Sequence, residues 1–174
     1  MTPEELRLER LRTDHELGGF GCGVDELDVW LARHALPAQQ MDSARTFVVV
    51  GAGRVVAYTS LTMGSVRRAD APARLVRGLP GYPVGMVLIA RLAVDRAEQG
   101  AGLGTRLLAD ALRVAVLAGE SVAARLIAVD AIDERAAGFY RQHGFTETLG
   151  HPLRLYRRMK DVRASLEKAA HNRP

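Results

Sequence analysis

An apolar run, Met86-Val-Leu-Ile-Ala-Arg-Leu-Ala-Val94, gives way to a polar hinge, Asp95–Gln99. The glycine-rich segment Gly100-Ala-Gly-Leu-Gly104 follows, and a helical pattern begins at Thr105. Glycine reaches backbone conformations closed to other residues, so the chain can turn sharply here with its N–H groups facing outward. The helix behind adds its own unpaired N–H groups and the positive end of its dipole. A strand that ends in such a turn before a helix offers a site for an anion, above all phosphate.

Spacing excludes two common phosphate sites. A P-loop needs Gly-x-x-x-x-Gly-Lys-Ser/Thr, and no lysine follows these glycines. A dinucleotide fingerprint needs Gly-x-Gly-x-x-Gly at the start of a βαβ unit. Gly100-Ala-Gly-Leu-Gly-Thr breaks that spacing and comes after half the chain.

Patterning around the turn predicts alternating strands and helices. A short strand is expected within Leu6–Leu11. A helix from Val24 to Ala35 carries Leu27, Trp30, Leu31 and His34 on one stripe and is ended by Pro37. Arg45–Val50 and Val55–Met63 form a hairpin around Gly51-Ala-Gly53, and Val66–Pro83 is a long connection. The central strand Val84–Val94 is apolar on both faces. A helix Thr105–Ala118 buries Leu108, Ala111, Leu112 and Ala115 and stops at Gly119. There follow a strand Val122–Val129 and a helix Glu134–His143, capped by Asp133 and closed by Gly144. A strand starting at Phe145, a last strand Leu153–Met159 and an exposed helical tail Asp161–Ala170 complete the chain.

At 174 residues, 48% apolar and 25% charged, the chain reads as a single domain over 1–174 with an ordinary globular core. Cys22, the only cysteine, excludes an internal disulfide and is expected as a small buried hydrophobe. Histidines are scattered without ligand spacing, so no metal is expected. No segment is long and apolar enough for a membrane span and the first residues do not resemble a signal peptide, which gives a cytoplasmic reading with no membrane partner. Nearly every basic side chain is arginine, clustered at Arg67, Arg68, Arg74 and Arg77 and again at Arg154, Arg157, Arg158, Lys160 and Arg163. Arginine grips phosphate bidentately, but charge alone does not establish nucleic-acid binding.

Gln99-Gly-Ala-Gly-Leu-Gly104 resembles the Gln/Arg-x-x-Gly-x-Gly/Ala motif of the GCN5-related N-acetyltransferases (GNATs). Arg91-Leu-Ala-Val-Asp95 is similar to the family's fourth strand, and Ala136-Ala-Gly-Phe-Tyr-Arg-Gln-His-Gly-Phe145 to its closing helix and strand. The resemblance implies a GNAT fold of the α/β (α+β) class. Its mixed, mostly antiparallel sheet of six to seven strands is splayed between the fourth and fifth and flanked by helices, with a cofactor core at about 84–159. It implies acetyl-CoA as cosubstrate, without metal. The pyrophosphate would lie against Gln99, Gly100, Ala101, Gly102, Leu103, Gly104 and Thr105, and the pantetheine arm against the backbone of Leu92, Ala93 and Val94. Where the family often has an asparagine after its fifth strand, this chain has Asp130-Ala-Ile-Asp133.

Tyr140 matches the family tyrosine whose phenol protonates the departing thiolate; helix periodicity alone makes it a core aromatic beside Phe139. Between Val84 and Val94 there is no Asp, Glu or His to serve as base. A lysine acceptor, with a pKa of about 10.4, would need one; an α-amine, near 7.7–8.0 and lower still on an ester, needs much less help. Phe20-Gly-Cys-Gly-Val-Asp-Glu-Leu-Asp-Val-Trp-Leu31 resembles the opening of toxin acetyltransferases that modify aminoacyl-tRNA. That branch implies acetylation of the α-amine of charged tRNA, a block on translation, a homodimer and a ribbon-helix-helix antitoxin. Arg77 is a candidate tRNA contact. Arg91 is either a structural ion-pair partner or a residue of the substrate mouth. The alternative acceptors are a small-molecule amine and a protein N-terminus.

Overall fold

The computed structural model describes residues 6–173. Its strands are β1 (Leu8–Arg10), β2 (Arg45–Gly51), β3 (Arg54–Val66), β4 (Val84–Val94), β5 (Leu126–Asp130), β6 (Thr146–Thr148) and β7 (His151–Arg158). They form one seven-stranded sheet in the order β1-β2-β3-β4-β5-β7-β6. Only β4–β5 is a parallel pair among the registered ladders; β1–β2, β2–β3, β5–β7 and β6–β7 run antiparallel. The helices are α1 (Asp25–Val29), α2 (Ala35–Gln40), α3 (Leu103–Ser121), α4 (Glu134–Gln142) and α5 (Met159–His171). This is the mixed sheet flanked by helices expected of a GNAT fold.

Two compact units divide the chain, residues 6–62 with 91–111 and residues 63–90 with 112–173. In the first, β2 and β3 meet through Ala52-Gly53, whose φ values of 52° and 78° fit a primed two-residue turn. Strand alternation divides the residues of β2 between two apolar clusters, and a bulge at Val56, where the register passes from Val49↔Ala57 to Val50↔Val55, resets the alternation in β3. Val48, Val55, Tyr58 and Ala93 pack with Leu11, Leu31 and Ala35. Val49, Val56, Ala57 and Val94 pack with Leu103 and Leu107.

The first helix departs from expectation. A π-helical turn, Trp30–His34, separates α1 from α2, and Ala35 donates its N–H to Trp30 O, five residues back. This wider turn shifts the helical phase by one residue, so Ala35 is buried and His34 is exposed. Pro37 does not end the helix, which runs to Gln40. Proline lacks the N–H for a bond four residues back and crowds that carbonyl, and the wide turn just before it absorbs both effects.

In the second unit, β4 pairs with β5 from Met86↔Leu126 to Ile89↔Val129. One face of these strands packs Val84, Met86, Leu126 and Ala128 with Tyr156. The connection Val66–Pro83 is more ordered than its prolines suggest. It folds into two 3-10 turns, Arg68–Asp70 and Ala73–Leu75, and buries Ala71, Leu75 and Val76 in that cluster. Asp133 caps α4 by accepting the Ala136 N–H at 2.8 Å, and Gly144 closes it at φ 88°.

Gly119 does not stop α3, which continues to Ser121. A Cβ there would lie 2.6 Å from Met159 Cε, so this glycine admits a close helix contact rather than a turn. With α3 longer, β5 begins at Leu126 instead of Val122. The final helix is not wholly exposed either, since Met159 and Val162 are buried.

Candidate active site

In the unit of residues 6–62 and 91–111, the glycine turn has the geometry an anion site requires. Gly100 and Gly102 have φ values of 85° and 84°, and a Cβ at either would meet nothing within 4 Å. Conformation, not crowding, selects glycine at both positions. Arg106 donates its N–H to Gly102 O, so the N–H groups of Leu103, Gly104 and Thr105 head the 19-residue α3 without intrahelical partners. No acidic residue lies in that first turn to compete for them. Leu103 offers only its backbone, because its side chain is buried against Val94 and Leu107.

The hinge before the turn is locked by a residue given no role at the sequence level. The buried Asp95 carboxylate accepts from Arg54 Nη1 at 3.0 Å, Gly21 N at 3.1 Å and Ala97 N at 3.0 Å. The Arg54 guanidinium above all, with the two backbone N–H groups, holds this carboxyl below the usual aspartate range. Arg96 N–H donates to Gly21 O, and Gln99 donates its amide protons to Cys22 O and Val94 O. The loop of residues 18–23 is thus strapped to the hinge. Both observed Gln99 donor contacts go to the protein's own carbonyls, making this side chain an anchor of the turn. The signal for the Asp95 lock in the sequence was one carboxylate just after a strand whose only charge is Arg91.

The β4–β5 ladder ends at Ile89, whereas β4 continues to Val94. Arg91 O accepts from Thr59 Oγ1 and Asp95 N–H donates to Val56 O, so the backbone groups of residues 91, 93 and 95 face β3. Those of Leu92 and Val94 face the opposite edge, where Val94 O is taken by Gln99. The Leu92 N–H and C=O and the Val94 N–H are therefore suited to pairing with an extended amide-bearing arm, and Ala93 is not.

Arg91 is not a structural ion-pair partner: among the described residues it meets no carboxylate at ion-pair distance. Its guanidinium lies 4.0 Å over the Trp30 ring. Trp30 stacks on Tyr58, whose hydroxyl donates to Leu27 O and whose edge meets Phe20. The stack gives Trp30 and Phe20 of the opening segment a packing role around Tyr58. Cys22 is half-buried, and burial together with Asp28 pushes its thiol up to about 11, leaving it unreactive.

In the unit of residues 63–90 and 112–173, Tyr140 is 4% exposed and packs edge-on to Phe139 and Phe145. Its hydroxyl has no hydrogen-bond partner among the described residues. Burial first, and the Asp130 charge second, raise its pKa, so the phenol holds its proton throughout the neutral range. Asp130 ends β5 and forms a two-pronged ion pair with Arg154, through Nε and, at 3.0 Å, Nη2. Most of the second basic cluster is likewise engaged: Arg157 donates to Ser165 and Arg158 pairs with Asp161. In the first cluster Arg67 pairs with Asp70 and Arg74 donates to Thr146, while Arg77 is exposed. Among the described residues no group of three or more His, Cys, Asp or Glu is placed to hold a metal, and no helix is long and apolar enough to cross a membrane.

The profile of the Acetyltransferase (GNAT) domain matches residues 42–147. A tRNA-acetylating toxin of Mycobacterium tuberculosis is 41% identical over 155 residues, covering 89% of this chain and 93% of that protein. The structure of AtaT complexed with acetyl-methionyl-tRNAfMet aligns with a TM-score of 0.84 at 27% identity, over 92% of this chain and 98% of that one. A variant of the AtaT toxin bound to the C-terminus of the antitoxin AtaR and acetyl-CoA aligns at 0.81 and 26% identity, over the same shares of the two chains.

Proposed function

Because the chain belongs to the GNAT acetyltransferase family, we propose that it acts as one domain that moves acetyl from acetyl-CoA to the α-amine of aminoacyl-tRNA. The 41% identity to a tRNA-acetylating toxin, extending over 89% of the chain, carries this reading. The acetylated amine can no longer attack a peptidyl ester, so the product blocks translation.

Acetyl-CoA supplies an activated thioester, and the residues present fit it. Gly100, Gly102 and the first N–H groups of α3 receive the pyrophosphate. The free backbone groups of Leu92 and Val94 pair with the pantetheine arm as an added strand would. Tyr140 gives its proton to the sulfur as the C–S bond breaks. An α-amine on an ester is largely neutral near pH 7–8, so β4 needs no carboxylate. Arg77 meets acceptor phosphates from the exposed connection, and the Arg91–Trp30 stack lines the acceptor side.

Restraint by an antitoxin is supported by structures of AtaT that contain AtaR and, in one case, DNA; in this reading the antitoxin is of ribbon-helix-helix type and the toxin works in the cytoplasm as a homodimer. Incubation with radiolabelled acetyl-CoA and separate pools of charged tRNA, peptides and small amines tests the substrate. Label is expected in charged tRNA; label confined to another pool refutes the tRNA reading.

A further inference from the structure

A cavity of about 640 Å³ opens at the end of β5, between Asp130-Ala131 and the β7 residues His151, Leu153 and Arg154. Its charged wall is the Asp130–Arg154 pair, whose side chains are 41% and 32% exposed. As cross-strand register partners these two residues were bound to meet, and an ion pair so exposed adds little to stability. Its position is more informative. It lies at the C-terminal end of a parallel-paired strand, and the Asp130 charge is felt by the Tyr140 phenol.

Acetyl transfer asks for a group that orients the acceptor amine. The acceptor must arrive as a neutral amine with its lone pair aimed at the acetyl carbon. A group that accepts one of its N–H bonds would fix that direction. A lone carboxylate would do so at a cost, because it stabilises the ammonium and delays deprotonation. A carboxylate already neutralised by a guanidinium avoids this, and it has lone pairs to spare. The cavity's other carboxylate, Asp70, is engaged by Arg67 at 2.7 Å, and its remaining titratable groups are an exposed His151 and the buried Tyr156.

We infer that the Asp130–Arg154 pair positions the acceptor: Asp130 accepts an N–H of the aminoacyl α-amine, and Arg154 cancels the charge that would hold that amine as an ammonium. The inference rests on the aminoacyl-tRNA reading. The ammonium first releases a proton to water. The neutral nitrogen then forms the N–C bond and loses a second proton to water, while the C–S bond breaks and the sulfur takes the proton of Tyr140, which solvent replaces. Asp130 remains ionised throughout. Leu153 and Val66 supply apolar surface for the amino-acid side chain.

The test is the pH dependence of kcat, at saturating acetyl-CoA and charged tRNA, for the wild type, Asp130→Asn, Arg154→Gln and the double variant. Arg154→Gln leaves Asp130 uncompensated and moves the acid limb up by about one pH unit. Asp130→Asn leaves Arg154 uncompensated, moves the limb down by about as much and raises the KM for charged tRNA. The double variant restores the wild-type limb, and acetyl-CoA KM and Tm change little in all three. A purely structural pair would move neither limb. Unmoved limbs, or shifts of the same sign, overturn the inference while wild-type transfer to charged tRNA stands. Absence of that transfer in the wild type overturns the aminoacyl reading and the inference together.

Discussion

Replacing Asp95 with asparagine tests how the cofactor turn is held. The buried Asp95 carboxylate accepts from Arg54, Gly21 and Ala97. Asparagine has nearly the same shape, but it offers one acceptor oxygen and turns an NH2 group toward donors. At least one backbone N–H then loses its partner, and the bond to Arg54 loses its charge assistance. Hydrogen bonds to charged groups are worth about 1.5–3 kcal/mol. Arg54 is 32% exposed at its side chain and regains water, so most of the loss falls on the backbone contacts. A destabilisation of about 2 kcal/mol is expected, which lowers Tm by about 4–8 °C in a chain of this size. The hinge and the loop of residues 18–23 loosen together, so acetyl-CoA KM rises about tenfold while kcat at saturation changes little. Thermal unfolding and steady-state kinetics read the two effects. A Tm within about 1 °C of wild type together with an unchanged acetyl-CoA KM would refute the reasoning.

The same carboxylate gives a signed pH effect. Its folded pKa lies below the ordinary value of about 3.9, so its stabilisation is complete above that value and is lost as pH falls through the depressed one. Below about pH 4 the wild-type Tm therefore falls more steeply than that of Asp95→Asn, as acid melting curves will measure. Tyr140→Phe removes a hydroxyl without a protein partner, so Tm is unaffected while kcat falls about a hundredfold or more in the transfer assay. Gly102→Ala places a methyl in open space and adds only backbone strain of about 1–2 kcal/mol; calorimetric titration will show weaker acetyl-CoA binding. Raising salt from about 50 to 200 mM weakens charged-tRNA binding more than tenfold in a filter assay, with a much smaller effect on acetyl-CoA.

The parts of the fold governed by local chemistry were legible in the sequence. A run apolar on both faces located β4 to the residue, Asp133 and Gly144 marked the ends of α4, and Gly51-Ala-Gly53 marked the β2–β3 hairpin. Departures arose where tertiary contacts overrode local signals. Pro37 lies inside a helix because a π turn precedes it, and Gly119 lies inside another because Met159 needs its surface. The site divides in the same way. Glycines that need positive φ announce the turn, whereas the Asp95 lock depends on Gly21 and Arg54, 74 and 41 residues away. Asp130 and Arg154 are 24 residues apart, and only the β5–β7 register brings them together. Arg91 stands out in the sequence as the one charge in its strand, but its aromatic partner could be found only from packing.

The account turns on which atom receives the acetyl group. Charged tRNA incubated with the protein and isotopically labelled acetyl-CoA can be stripped by mild base, which cleaves the aminoacyl ester but spares an amide. Mass spectrometry of the released material should yield labelled N-acetyl amino acid in amounts matching the acetyl-CoA consumed. Unmodified amino acid, with label absent or attached to nucleotide, would contradict the account.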